Sequence, residues 1–183
     1  ADFITITATV PAKVIITEGF TISRRVPDMD FVCESNNRLW GCSSEKNEIY
    51  ASRLGDPTNF YAYEGISTDS FAVSVGSDGE FTACTPYRGY VLFFKENCVH
   101  KIYGQNPPFT VTTSYIRGVE KTSSKSLVRL NETLYYKSPT GVCAYEGGVP
   151  VDVGEDLGEC RYSMAVGGAV GNKYYLCMND NKG

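Results

Sequence analysis

The sequence predicts an all-β fold of propeller-like repeats, and three observations predict it. A unit of aromatic strand, tight polar turn, second strand and Gly- or Pro-bearing exit recurs about every forty residues, near the roughly 40 to 50 residues of a four-stranded propeller blade. No window carries a 3.6-residue apolar stripe of helical length. Tyrosine (13), phenylalanine (9) and glycine (18) in 183 residues, with 42% hydrophobic residues, describe a folded, turn-rich, strand-forming chain rather than a disordered one.

The first element expected is a strand at Phe3–Val10, where Ile4, Ile6, Ala8 and Val10 alternate with threonines. Pro11-Ala12-Lys13 turns it, and Val14–Thr17 and Phe20–Ser23 read as two more short strands. Residues 1–27 thus form a β meander adjoining the repeats, which occupy 28–183 as blades at about 28–85, 86–128 and 129–168 and part of a fourth at 169–183. In the first blade Phe31–Glu34 and Arg38–Cys42 flank the Ser35-Asn36-Asn37 turn, and Ile49–Ser52 follows. Phe71–Val75 and Phe81–Cys84 read as hairpin partners around Gly76-Ser77-Asp78-Gly79. The clearest copies run from Tyr90 to Pro107 and from Glu132 to Pro150, with Thr110–Ile116 and Val151–Val153 as connecting strands. A last copy opens at Lys173–Met178.

Anchored on Leu39, Leu92, Leu134 and Tyr174, the copies are spaced by 53, 42 and 40 residues. Short helical turns fit only Ser123–Leu130 and Gly154–Tyr162. A ring needs at least about four blades, so the expectation is a fragment of a larger propeller, or a blade set completed by another chain. A β-sandwich of the same hairpins is the replacement fold.

The formal net charge is −4 with Lys and Arg scattered, which argues against a nucleic-acid-gripping protein. No run approaches the ~18 apolar residues of a membrane helix, and no secretory signal pattern opens the chain, so a soluble protein is expected. Seven cysteines, Cys33, Cys42, Cys84, Cys98, Cys143, Cys160 and Cys177, form no C-x-x-C pair, which favours free thiols in a reducing cytosol. Cys98 and Cys143 read as equivalent packing positions of the repeat.

Gly118–Ser126 approaches a phosphate loop, but Ser124 replaces its second glycine and no long helix follows Lys125; an inter-blade loop is the simpler reading. His100 is the only histidine and has no partners for a metal set or a catalytic dyad. The acids Asp28, Asp30, Asp69, Asp78, Glu80, Asp152, Glu155, Asp156 and Glu159 mostly sit in turns beside glycine, so a glycosidase pair is not indicated. Aromatics such as Trp40, Phe93, Tyr103, Tyr135 and Tyr174 recur at equivalent positions, which fits blade-to-blade packing better than sugar stacking.

The stretches Asp28–Cys42 and Ile49–Phe60, with Phe93-Phe94-Lys95-Glu96, Ile102-Tyr103-Gly104 and Ser138-Pro139-Thr140-Gly141, look like proteins encoded in phages and prophages of Gram-positive bacteria. In repeat style the chain also resembles the packaged-DNA stabilisation proteins of short-tailed phages, which plug or extend the portal exit. The resemblance implies a non-enzymatic structural protein of a tail, neck or portal-exit complex, made in the host cytoplasm and carried in the virion. It brings no catalytic, cofactor or metal residues. Its partners would be other phage structural proteins or a second copy, with neither sequence-specific nucleic acid nor membrane. The loops Arg53–Gly65 and Gly104–Phe109 are the expected contact elements, with Arg53, Asp56, Asn59, Gln105, Asn106 and Phe109 as candidate contact residues. The alternatives are a propeller that binds host glycans for attachment and, behind it, a propeller glycosidase.

Overall fold

A computed structural model describes residues 25–158 and 161–180. The strands expected at Phe3–Val10, Val14–Thr17 and Phe20–Ser23, and Cys160, lie outside the described residues. Among the described residues the fold is all-β: three four-stranded antiparallel sheets followed by a two-stranded one. The first sheet is β1 (Phe31–Ser35), β2 (Arg38–Ser43), β3 (Glu48–Ala51) and β4 (Phe71–Ser74). The second is β5 (Ala83–Tyr87), β6 (Tyr90–Phe94), β7 (Val99–Tyr103) and β8 (Thr110–Ser114). The third is β9 (Val128–Leu130), β10 (Thr133–Ser138), β11 (Gly141–Tyr145) and β12 (Val151–Asp152), and β13 (Ser163–Val170) with β14 (Lys173–Asn179) forms the final hairpin. Within each sheet the strands pair in chain order. Single 3-10 turns at Ser124–Ser126 and Glu155–Leu157 fall inside the two windows expected to hold them.

Each sheet opens with a hairpin closed by two residues, Asn36-Asn37, Arg88-Gly89, Asn131-Glu132 and Gly171-Asn172. In the first three both turn residues have positive φ, as in Asn36 (52°) and Asn37 (57°). That conformation matches the right-handed twist of the flanking strands and favours Asn and Gly.

Strand β6 reads Tyr-Val-Leu-Phe-Phe, apolar on both alternations, and the sheet is accordingly covered on both faces. Val91, Phe93 and Ile102 pack with Trp40, Cys42, Ile49 and Ala51 of the first sheet. Leu92, Phe94 and Val99 pack with Leu134, Tyr136 and Cys143 of the third. The opposite face of β10 meets the hairpin, where the rings of Tyr135 and Tyr174 stack at 5.3 Å and the Tyr174 hydroxyl donates to Ser126 O at 2.8 Å. The sheets therefore stack in chain order, each face apolar where a neighbour covers it. A fully buried side chain the size of Phe94 contributes about 1.5–3 kcal/mol.

Three expectations need correction. Phe71–Val75 and Phe81–Cys84 are not hairpin partners: β4 pairs with β3 and β5 with β6, so residues 75–82 cross between sheets. Polar bonds hold that crossing, since the Asn47 amide donates to Val75 O and Ser77 O and the buried Lys95 ammonium donates to Ser77 O and Asn47 Oδ1. The repeat register is also off by one at a single anchor, Leu92, which alters two of the three spacings. The turns make Arg38, Tyr90, Thr133 and Lys173 equivalent, a spacing of 52, 43 and 40 residues. Leu92 and Leu134 match in type but face each other across one interface, as do Phe94 and Tyr136, whose rings lie 5.4 Å apart. A strand apolar on both faces matches equally well when slipped by one residue, which reverses every side chain. Finally, Cys98 and Cys143 are not equivalent. Cys98 O closes the β6–β7 turn on Lys95 N, the place Gly141 holds against Ser138, so Cys143 corresponds to His100. Both thiols are free and buried.

The phosphate-loop-like stretch is a polar joint between sheets. Glu120 N donates to Lys137 O, Lys137 N to Ser126 Oγ and Ala165 N to Ser123 Oγ, tying the β8–β9 connection to the third sheet and to the final hairpin.

Candidate interaction surface

The antiparallel order brings the opening turn of each sheet and its β3–β4 or β7–β8 connection to one end of the stack. Trp40 pairs with Ala51, so the chain leaves β3 beside the Asn36-Asn37 turn, and Val91 pairs with Ile102, so it leaves β7 beside Arg88-Gly89. The turns sit side by side: Arg88 donates to Glu132 O and Glu146 O, and the Asn131 amide to Asn172 Oδ1 at 3.4 Å. The two expected contact loops, 53–65 and 104–109, thus lie at this end together.

Arg38 organises the longer loop. It is 3% exposed, and its guanidinium donates to Ser52 O, Asp69 O and Ser67 O, fixing both ends of the 52–70 segment with one rigid fork. Burial lowers the Arg38 pKa and the nearby Asp69 charge opposes that shift; the guanidinium stays charged because its pKa starts so high. Asp69 Oδ2 accepts from Gly65 N at 2.6 Å and Ile66 N at 3.1 Å, folding the loop tip back.

Phe109 anchors the shorter loop to the first sheet, beside the arginine that holds the longer one. Its ring packs edge-on against Trp40 (5.0 Å) and Phe71 (5.3 Å), with the Arg38 guanidinium 5.4 Å over its face. Phe109 is therefore a buried anchor, not the surface contact expected of it. Asp56 and Asn59 shape the loop through their side chains: Asp56 Oδ1 accepts from Thr58 N and Thr58 Oγ1, and Asn59 Oδ1 from Tyr61 N. The two Thr58 bonds hold the Asp56 carboxyl below its usual pKa. Arg53 lies 3.9 Å from Glu64 in a surface ion pair and its backbone N donates to Asn59 O. Gln105 and Asn106 are exposed at the loop tip.

Between the first two sheets this end opens into a crevice of about 320 Å³, lined by Arg38, Trp40, Leu54, Tyr90, Tyr103 and Gln105, among others. Leu54 (43%) and Tyr103 (41%) give it an exposed apolar rim. The Lys101 ammonium sits 3.8 Å from the Tyr90 ring centre and 5.6 Å from that of Tyr103, so it stiffens the wall through cation–π contacts. Sequence reading missed Arg38, reached Leu54 only as part of the expected 53–65 loop, and took the exposed Tyr103 for a packing position. A lone arginine between a turn and an apolar strand was the available signal for the first.

The chemistry-bearing groups elsewhere are engaged in structure. His100 is fully buried, with Nε2 2.8 Å from Ser77 Oγ, Nδ1 2.9 Å from Thr113 Oγ1 and Cys98 Sγ 3.8 Å from Nε2. Burial, assisted by the Lys95 charge, pulls its pKa down to about 4, so the ring is neutral near pH 7. Asp152 accepts from Arg117 at 2.8 Å and from Gly154 N. Among the described residues no cluster of three or more His, Cys, Asp or Glu suits a metal ion.

The chain matches no protein-family model and no curated protein.

Proposed function

We propose that the stacked meanders are blades of a propeller and that the protein is a non-enzymatic structural component of a bacteriophage tail, neck or portal exit. It works through protein–protein contacts at the end where the turns and the 52–70 and 104–109 loops converge. The observation that carries this reading is the loop scaffold: a buried arginine and a buried phenylalanine rigidify exposed Leu54, Tyr103, Gln105 and Asn106 into one surface, and a pre-organised surface binds at lower entropic cost. Packing of β1 against β5 and of β9 against β13, first strand on first strand at two of the three junctions, supports a radial blade arrangement. The acidic net charge favours docking on proteins over gripping DNA.

Glycan binding remains the second reading, supported by the exposed rings of Tyr63 and Tyr103 at the same end. The burial of Trp40, Phe93, Phe94, Tyr136 and Tyr145 opposes a repeated sugar pocket. Co-sedimentation of the protein with phage particles after prophage induction tests the proposal. Association with particles that falls when Gln105 and Asn106 are both replaced by alanine supports it. Absence from particles, or specific retention on host cell-wall glycan, overturns it.

A further inference from the structure

The face of the final hairpin turned away from the third sheet has no cover among the described residues. Paired residues Val166 and Cys177, Gly168 and Tyr175, and Val170 and Lys173 share this face, and Val166, Val170 and Tyr175 are 51%, 70% and 56% exposed. By the turn register Tyr175 is the equivalent of Trp40, Leu92 and Tyr135. Trp40 and Leu92 are buried under the next sheet, and Tyr135 stacks on Tyr174 of the next hairpin. A position that the following sheet covers three times has no cover at the fourth among the described residues.

At the other end of the stack the first sheet turns Val32, Glu34, Leu39 and Ala72 outward, with Val32 54% exposed. At the positions of Phe93 and Tyr136 it carries Gly41, and the Met29 side chain lies over it in the space a Cβ would take, beside the buried Tyr50, so this face presents Met29 in the middle and an acid near the turn.

We propose that these two faces meet head to tail, a second copy of this chain seating its first sheet on the Tyr175 face. The contact continues the stacking already made between sheets 1 and 2 and between 2 and 3. In that register the Asn36-Asn37 turn of the second copy joins the row of turns beside Gly171-Asn172, which brings its Glu34 next to Lys173. Tyr175 then faces Met29 where it lies over Gly41, and the apolar strip of Val166 and Val170 on β13 faces Val32 on β1, as β5 lies against β1 within the chain. A head-to-tail contact makes a ring when its rotation closes and a filament when it does not. The inference deepens the assembly reading and rests on it in naming the partner.

Light scattering across a concentration series, with circular dichroism to verify folding, tests it on the chain as it stands. Mass is expected to rise above that of the monomer with concentration. Tyr175→Lys should weaken association at least about thirtyfold, as loss of a central aromatic anchor does, and Glu34→Lys about fivefold. Combining Glu34→Lys with Lys173→Glu should restore it. A monomer at every concentration overturns the inference. So does association abolished by Tyr175→Lys but indifferent to Glu34→Lys, which would mean that the hairpin face pairs with itself. Either failure leaves the loop surface untouched, because that surface is tested separately by co-sedimentation with particles.

Discussion

The second sheet and the final hairpin share one plan, a two-residue turn joining two strands of alternating side chains, but their burial differs completely. Phe94 of the second sheet is fully buried between neighbours while Tyr175 of the hairpin is 56% exposed. Strand and turn chemistry specify the hairpin; only a neighbouring sheet specifies a core. Stability should therefore concentrate in the sandwiched sheet, and capacity for association in the uncovered one.

The largest effect that sharpens this contrast is expected at Phe94, whose ring meets Tyr136 at 5.4 Å and Tyr145 at 6.4 Å. Phe94→Ala should lower unfolding stability by about 3–5 kcal/mol in a denaturant titration. Tyr175→Ala should move the same midpoint by less than about 0.5 kcal/mol under dilute, monomeric conditions. An equal loss at the two sites would erase the comparison.

Acid should strike the same sandwiched region. Folding depresses the His100 pKa from 6.5 to about 4, so between those values the unfolded chain binds the extra proton. The stability from neutral His100 is complete above about pH 6.5 and declines as pH falls toward 4, by about 3 kcal/mol in all. His100→Gln should flatten that part of the stability–pH curve, although it also lowers stability at neutral pH.

A somewhat smaller loss is expected at the loop scaffold. Arg38→Met removes three charge-assisted bonds to carbonyls, each of a type that contributes about 1.5–3 kcal/mol when charged, partly compensated because the loop can take up water. About 2–3 kcal/mol of stability and the exchange protection of residues 52–70 should be lost together, with β14 unaffected. The smallest effect is a gain: Asn37→Gly places an Asn-Gly pair in a turn where Asn37 already has φ 57°, and thermal unfolding should show stabilisation by a few tenths of a kcal/mol.

Much of the strand layout was legible because the local signals agree. The Asn36-Asn37 turn, the aromatic strand at Tyr90–Phe94 and the hairpin from Thr133 to Tyr145 are each specified by residues close in sequence. Face and partner were not, because they depend on what lies across the interface. Phe71–Val75 and Phe81–Cys84 read as a hairpin until the Lys95 and Asn47 bonds show the segment between them crossing to another sheet. The one-residue slip between Leu92 and Leu134 arose for a related reason, since both alternations of β6 are apolar. In the candidate surface, Gln105 and Asn106 were readable as exposed loop residues. The roles of Arg38 and Phe109 were not, since each acts through residues up to about seventy positions away in the chain.

Residue-resolved hydrogen exchange at two protein concentrations tests the central contrast most directly. The predicted result is that amides of Phe93, Phe94 and Ile102 exchange only through global unfolding at either concentration. Those of Tyr175 and Cys177 should exchange orders of magnitude faster when dilute and gain protection when concentrated. Equal, concentration-independent protection of β6 and β14 would contradict the account, because it would mean that the hairpin face is already covered within the single chain.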